Sequence, residues 1–79
     1  MTLAEATGKR IIELANINGY SLKILSDLAG ISQSTVKNMI YNKTQHPSST
    51  IVYKICLLLN MEMKEFYNSS LFNNIDLKI

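Results

Sequence analysis

From Ser21 to Tyr41 two short helical patterns follow one another across a single glycine-bearing corner, and this spacing constrains the fold more than any other feature of the chain. Ser21 is a good helix N-cap, although Ile24 stands where the glutamate of a capping box would be. The first pattern places Leu25 and Leu28 on a core face, with Ile24 beside them, and ends at Gly30. Ser32 offers the next cap. Gln33 to Tyr41 then form a second short helix with Val36, Met39 and Ile40 directed inward. Short helices joined by a turn of about three or four residues containing glycine are the signature of a helix-turn-helix. Asn42 can supply the left-handed cap that closes the second of them, and a polar loop runs from Lys43 to Pro47.

The flanking sequence reads as more helix. Residues 3 to 18 place Ile11, Leu14 and Ala15 on one stripe, continued by Thr7 and Asn18, and Asn18-Gly19 is a stop signal in which glycine takes positive φ. Ser48 or Ser49 caps a helix to Leu59 with Val52, Ile55, Cys56 and Leu59 as its buried stripe, and Asn60 closes it. A short last helix over Glu62 to Asn68 buries Met63, Phe66 and Tyr67. Beyond Asn73-Asn74 the segment Ile75 to Ile79 alternates apolar and polar residues with period two, which is strand-like. An isolated strand finds no ladder in a helical monomer, so this tail either frays or pairs with a second copy.

Composition narrows the function. The 79 residues are 47 % hydrophobic and 18 % charged, the balance of a cooperative globule and not of a disordered segment. So short a chain makes one domain that buries roughly 60 % of its unfolded surface, leaving no room for a large internal pocket. The one cysteine excludes an intramolecular disulfide, and one cysteine with one histidine cannot build a structural zinc site. The longest apolar run, Ile55 to Leu59, is far too short to span a membrane, and MTLAEATGKR lacks the apolar region of a signal peptide. No glycine-rich phosphate loop, carboxylate pair or nucleophile–base constellation is present, so catalysis has no support. The chain is therefore expected to be a cytoplasmic, non-enzymatic domain without metal, cofactor, membrane or small-molecule substrate. Its net charge is +2, and the segment from Tyr20 to Pro47, with Lys23, Lys37 and Lys43 against Asp27, carries that whole excess. An anionic partner fits this distribution.

The stretches GKRIIEL (8–14), LSDLAGISQSTVKNMI (25–40), Pro47-Ser48 and VYKICLLLNMEMKEF (52–66) resemble the Cro/cI family of helix-turn-helix regulators, also called lambda-repressor-like or XRE. The match runs without gaps over about residues 8 to 67. It implies an all-α, five-helix lambda-repressor-like domain over residues 1–68, with residues 69–79 as a C-terminal dimerisation segment, and a bacterial or prophage regulator of transcription. Three positions depart from the family pattern. Leu22 stands where a phosphate-touching Gln is usual, Ser26 where Ala packs, and Ile40-Tyr41-Asn42 replaces Glu-x-Gly. A buried serine at 26 must find a hydrogen-bond partner.

If 33–41 is the recognition helix, it lies in the major groove of double-stranded DNA with its N-terminal residues toward the bases. Gln33, Ser34, Lys37 and Asn38 oppose the inward residues and become the candidate base contacts. Gln and Asn pair bidentately with adenine N6/N7, and Lys reaches guanine O6/N7. Phosphate contacts would come from Ser21 and Lys23 at the preceding helix start, from Thr35, Tyr41 and Asn42, and from Lys43, Thr44 and Gln45 in the loop. Lys9 and Arg10 would either reach outer phosphates or keep the first helix soluble. His46 reads as a surface turn residue and Cys56 as a structural buried thiol.

Leu57, four residues after Tyr53, stands where members of the resembled family commonly carry polar residues, and Leu71, Phe72, Ile75, Leu77 and Ile79 add apolar surface beyond what the domain needs. These residues either fold back onto the monomer or form the interface of a homodimer. A dimer would place two recognition helices about 34 Å apart on a palindromic site. The sequence is thus expected to encode a DNA-binding regulator, a repressor reading a palindromic operator. The alternative is an adaptor or antitoxin-like protein that uses the same fold to bind a protein partner.

Overall fold

The computed structural model describes residues 1–41 and 46–76. Among these the chain forms α1 (Leu3–Ile17), α2 (Leu22–Ala29), α3 (Gln33–Tyr41), α4 (Ser49–Leu59), the single turn α5 (Met63–Phe66) and a 3₁₀ turn, Ser70–Phe72. Each start has a sequence-local cause. The Thr2, Ser21 and Ser48 hydroxyls accept from the backbone N–H of Glu5, Ile24 and Thr50, and Ser32 Oγ accepts from Ser34 N–H at 3.2 Å.

The stops of α1, α2 and α4 share one device. Gly19, Gly30 and Asn60 adopt left-handed backbone, with φ of 74°, 71° and 52°. The next N–H then folds back onto a carbonyl of the preceding turn: Tyr20 to Ala15 at 2.8 Å, Ile31 to Ser26 at 2.9 Å, Met61 to Cys56 at 3.0 Å. These reversals turn the chain at each corner and gather Ile11, Leu14, Leu25, Val36, Val52, Ile55, Cys56 and Phe66 into one core.

α3 is held chiefly by α1, and Gly8 makes their close approach possible. A Cβ at position 8 would lie 2.6 Å from Ile40 Cγ1, 3.1 Å from the Val36 carbonyl oxygen and 3.2 Å from Met39 Cβ. The glycine sets the distance at which α3 is seated, and hence the height at which its outer face stands.

Several expectations need correction. Leu28 and Ile24 do not join the core; they are 57 % and 50 % exposed. Small Ser26 and Ala29, with Leu22 and Leu25, form the inward stripe of α2, and Leu28 falls past its edge into the groove against α4. Met63 and Tyr67 are partly exposed and Leu59 is only half-buried. The last helix stops at Phe66 instead of reaching Asn68. The Arg10 guanidinium supplies a reason, because it binds the Phe66 carbonyl at 2.6 Å and the Glu65 carbonyl at 2.9 Å, two acceptors a longer helix would use.

The tail takes an irregular path. After the 3₁₀ turn packs on α1, the Asp76 N–H donates to the Met1 carbonyl at 2.9 Å, and the Met1 ammonium donates to the Asn74 carbonyl at 3.2 Å. Ile75 and Asp76 belong to no strand, and the rest of the strand-like segment, residues 77–79, lies outside the described residues.

Candidate nucleic-acid interface

α3 presents one ridge to solvent. Val36 and Met39 are fully buried and Ile40 packs partly against the core, which leaves Ser34, Lys37, Asn38 and Tyr41 fully outward. Gln33 and Thr35 flank that ridge and are half-buried. Ser34 is engaged locally, its Oγ 2.7 Å from Ser32 Oγ at the helix start. Tyr41 is 79 % exposed, the most open of the large apolar side chains. The structure thus brings Gln33, Ser34, Lys37 and Asn38 together on one side of α3.

The Gly30 corner joins the end of α2 to the start of α3, and the start of α2 lies at the far end of that helix. Ser21 and Lys23 are exposed there, and Ser21 Oγ accepts the Ile24 N–H at 3.1 Å, so its own proton stays free to donate. With the Ile24 N–H taken by Ser21, the N–H groups of Leu22 and Lys23 at the start of α2 have no helical acceptor and suit an anion. Leu22 packs partly against the core, so this position offers backbone but no side-chain donor. Asn42, Lys43, Thr44 and Gln45 lie outside the described residues.

Charge is divided between the two sides of the molecule. On α1 and near α5, Lys9 pairs with Glu5, Arg10 with Glu13 and Lys64 with Glu62. Among the described residues, Lys23, Lys37 and Lys54, on α2, α3 and α4, have no carboxylate partner. Arg10 is not a candidate phosphate contact: it is 8 % exposed and its guanidinium is spent on Glu13 and two carbonyls. Sequence periodicity counted it among surface charges, and only its inward-facing position one residue before Ile11 could have signalled burial.

Ser26 Oγ is buried and has no hydrogen-bond partner among the described residues. The partner that a serine at this position needs is missing. Cys56 is buried on α4, and burial, then the Glu65 carboxylate, pushes its thiol above the ordinary range. It is a core thiol. Among the described residues no group of three or more His, Cys, Asp or Glu side chains could hold a metal ion, and no helix is long and apolar enough to cross a membrane.

A family model described as the Cro/C1-type HTH DNA-binding domain matches residues 10–69, from the middle of α1 past α5. The chain belongs to this family. A search of curated proteins and a search of solved structures each return no match. Membership makes α2 and α3 the helix-turn-helix of a Cro/C1-type domain with DNA as its partner, and it supports a DNA-binding regulator.

Proposed function

We propose that the protein is a cytoplasmic transcriptional repressor that binds as a homodimer to a palindromic operator, with α3 in the major groove. Gln33, Ser34, Lys37 and Asn38 contact base edges, with Gln33 and Asn38 favouring adenine and Lys37 favouring guanine. Ser21, Lys23, Thr35 and Tyr41 hold phosphates, joined by Asn42, Lys43, Thr44 and Gln45 from the following segment. The observation that carries this reading is the state of the α3 ridge. Among the described residues, Gln33, Lys37 and Asn38 have no intramolecular polar partner, and Lys23, Lys37 and Lys54 have no carboxylate. Polar groups left open on a rigid, buried-backed helix suit an external polar surface.

Selection of bound duplexes from a random-sequence pool, followed by fluorescence anisotropy at two salt concentrations, tests the reading. The expected result is an enriched inverted repeat that binds more tightly than a scrambled duplex and weakens steeply with salt, as displaced counterions require. Absence of binding to any duplex at low salt would replace this reading with that of a protein-binding adaptor on the same fold.

A further inference from the structure

Exposed apolar side chains also occur on α2 and α4. Ile24 and Leu28 on α2, with Tyr53 and Leu57 on α4, are all half or more exposed. A groove of about 330 Å³ lies between the two helices, lined by Leu28, Ala29, Lys54, Leu57 and Leu58. Leu28 and Leu57 meet across this groove, with Ile24 and Tyr53 one turn before them on their own helices, and apolar side chains grouped in this way mark an interaction surface more often than ones scattered singly.

We infer that this α2–α4 face is where a second copy of the chain docks, resting on the homodimer proposed above and assigning it an interface. The pattern is self-complementary. Each helix carries an apolar pair one turn apart, Ile24/Leu28 and Tyr53/Leu57; α2 adds Lys23 at its start and Asp27 between the apolar pair, and α4 adds Lys54. A two-fold axis between α2 of one copy and α4 of the other sets pair against pair and Asp27 toward Lys54 of the second copy. Both charges are available. Among the described residues Asp27 is the one acidic side chain with neither an ion pair nor a hydrogen bond, and the bond from Lys54 Nζ to the Gly30 carbonyl is a long 3.4 Å. The tail offers a poorer face, since Phe72 packs against its own core and rings with Tyr67 at 5.0 Å. Four partly exposed side chains fall short of the ~800 Å² that each partner gives to a standard interface. The dimer is therefore weak alone and is consolidated when one duplex holds both copies.

Sedimentation velocity of the full chain without DNA, over about a hundredfold range of concentration, tests this. Wild type is expected to show a concentration-dependent dimer. Leu57→Glu and Leu28→Glu, at exposed positions where far-UV circular dichroism checks the fold, should raise its dissociation constant by about tenfold or more. Asp27→Lys and Lys54→Asp should each weaken it several-fold, and the two together should restore it. A dimer that ignores these variants but dissociates with Leu71→Ser or Ile75→Ser would overturn the α2–α4 assignment and leave the homodimer standing. A wild type that stays monomeric throughout and binds its selected duplex as one chain per duplex would overturn both and leave only DNA reading.

Discussion

The α1–α5 side and the α2–α3 side of this Cro/C1-type domain use their polar residues in opposite ways. On the first, nearly every charge is consumed internally: Lys9 by Glu5, Arg10 by Glu13 and two backbone carbonyls, the Met1 ammonium by Asp76. On the second, Lys23, Lys37, Gln33 and Asn38 have no polar partner among the described residues, while Val36 and Met39 beneath α3 are completely buried. One side is a brace and the other a presented surface. The contrast teaches that exposure alone does not mark a functional residue. A polar side chain that the fold supports rigidly but leaves unpaired is the more telling sign.

The largest effect is expected where the brace meets the presented helix. Gly8→Val should destabilise the protein by about 3 kcal/mol, since the added atoms must displace both Ile40 and the α3 backbone at Val36. Urea unfolding measures this, and a change of under about 1 kcal/mol would mean that α3 is not seated by that contact. Next comes Arg10→Ala, which removes the donor of the Phe66 and Glu65 carbonyls and should cost about 2 kcal/mol. Arg10→Lys should recover only a part, because one ammonium cannot replace a fork of donors. DNA affinity per folded molecule should barely move in either lysine or alanine variant, which separates brace from surface.

On the presented side the order of effects reverses. Asn38→Ala and Gln33→Ala should leave stability within about 0.5 kcal/mol while costing about 1–2 kcal/mol of discrimination between the selected and scrambled duplexes. Lys37→Ala should lower the salt slope or relax base preference, whereas Lys9→Ala should do neither. Silence of both Gln33 and Asn38 in such titrations would sink the assignment of the ridge.

Two smaller effects sharpen the comparison inside the core. Ser26→Ala should stabilise by about 1 kcal/mol, because it deletes a buried hydroxyl that has no partner. The second concerns pH. Burial followed by Glu65 raises the Cys56 thiol above 9.0, and burial followed by Cys56 raises the Tyr67 hydroxyl above 10.0. An acid whose folded value is raised contributes stability below its unfolded value and loses it as pH climbs through the folded one. Urea midpoints should therefore begin to fall as pH rises past about 8.5 for Cys56 and past about 10 for Tyr67, and the fall should shrink in Cys56→Ala.

Much of this architecture is legible in the sequence because it is locally caused. Gly19, Gly30 and Asn60 announce their left-handed stops, Ser21 and Ser48 their caps, and Val36 and Met39 the inner face of α3. What periodicity cannot supply is the width of the stripe that neighbouring helices cover, so Ile24 and Leu28 read as core although they lie outside it. Nor can it show a contact made across the chain. The bond from Arg10 to the Phe66 carbonyl spans 56 residues, and it hides a cation that looks superficial and accompanies the early end of α5. The ridge of α3 was readable because one helix carries all of it.

The most direct measurement is a two-dimensional ¹⁵N–¹H NMR titration of the protein with its selected duplex. The account predicts that the side-chain amides of Gln33 and Asn38 and the backbone of Lys23, Ser34 and Lys37 shift strongly, while Glu5, Glu13 and Lys64 hold still. Strong shifts at Glu5, Glu13 and Lys64 with Gln33 and Asn38 unmoved would contradict it, placing the DNA on the side whose charges are already spent.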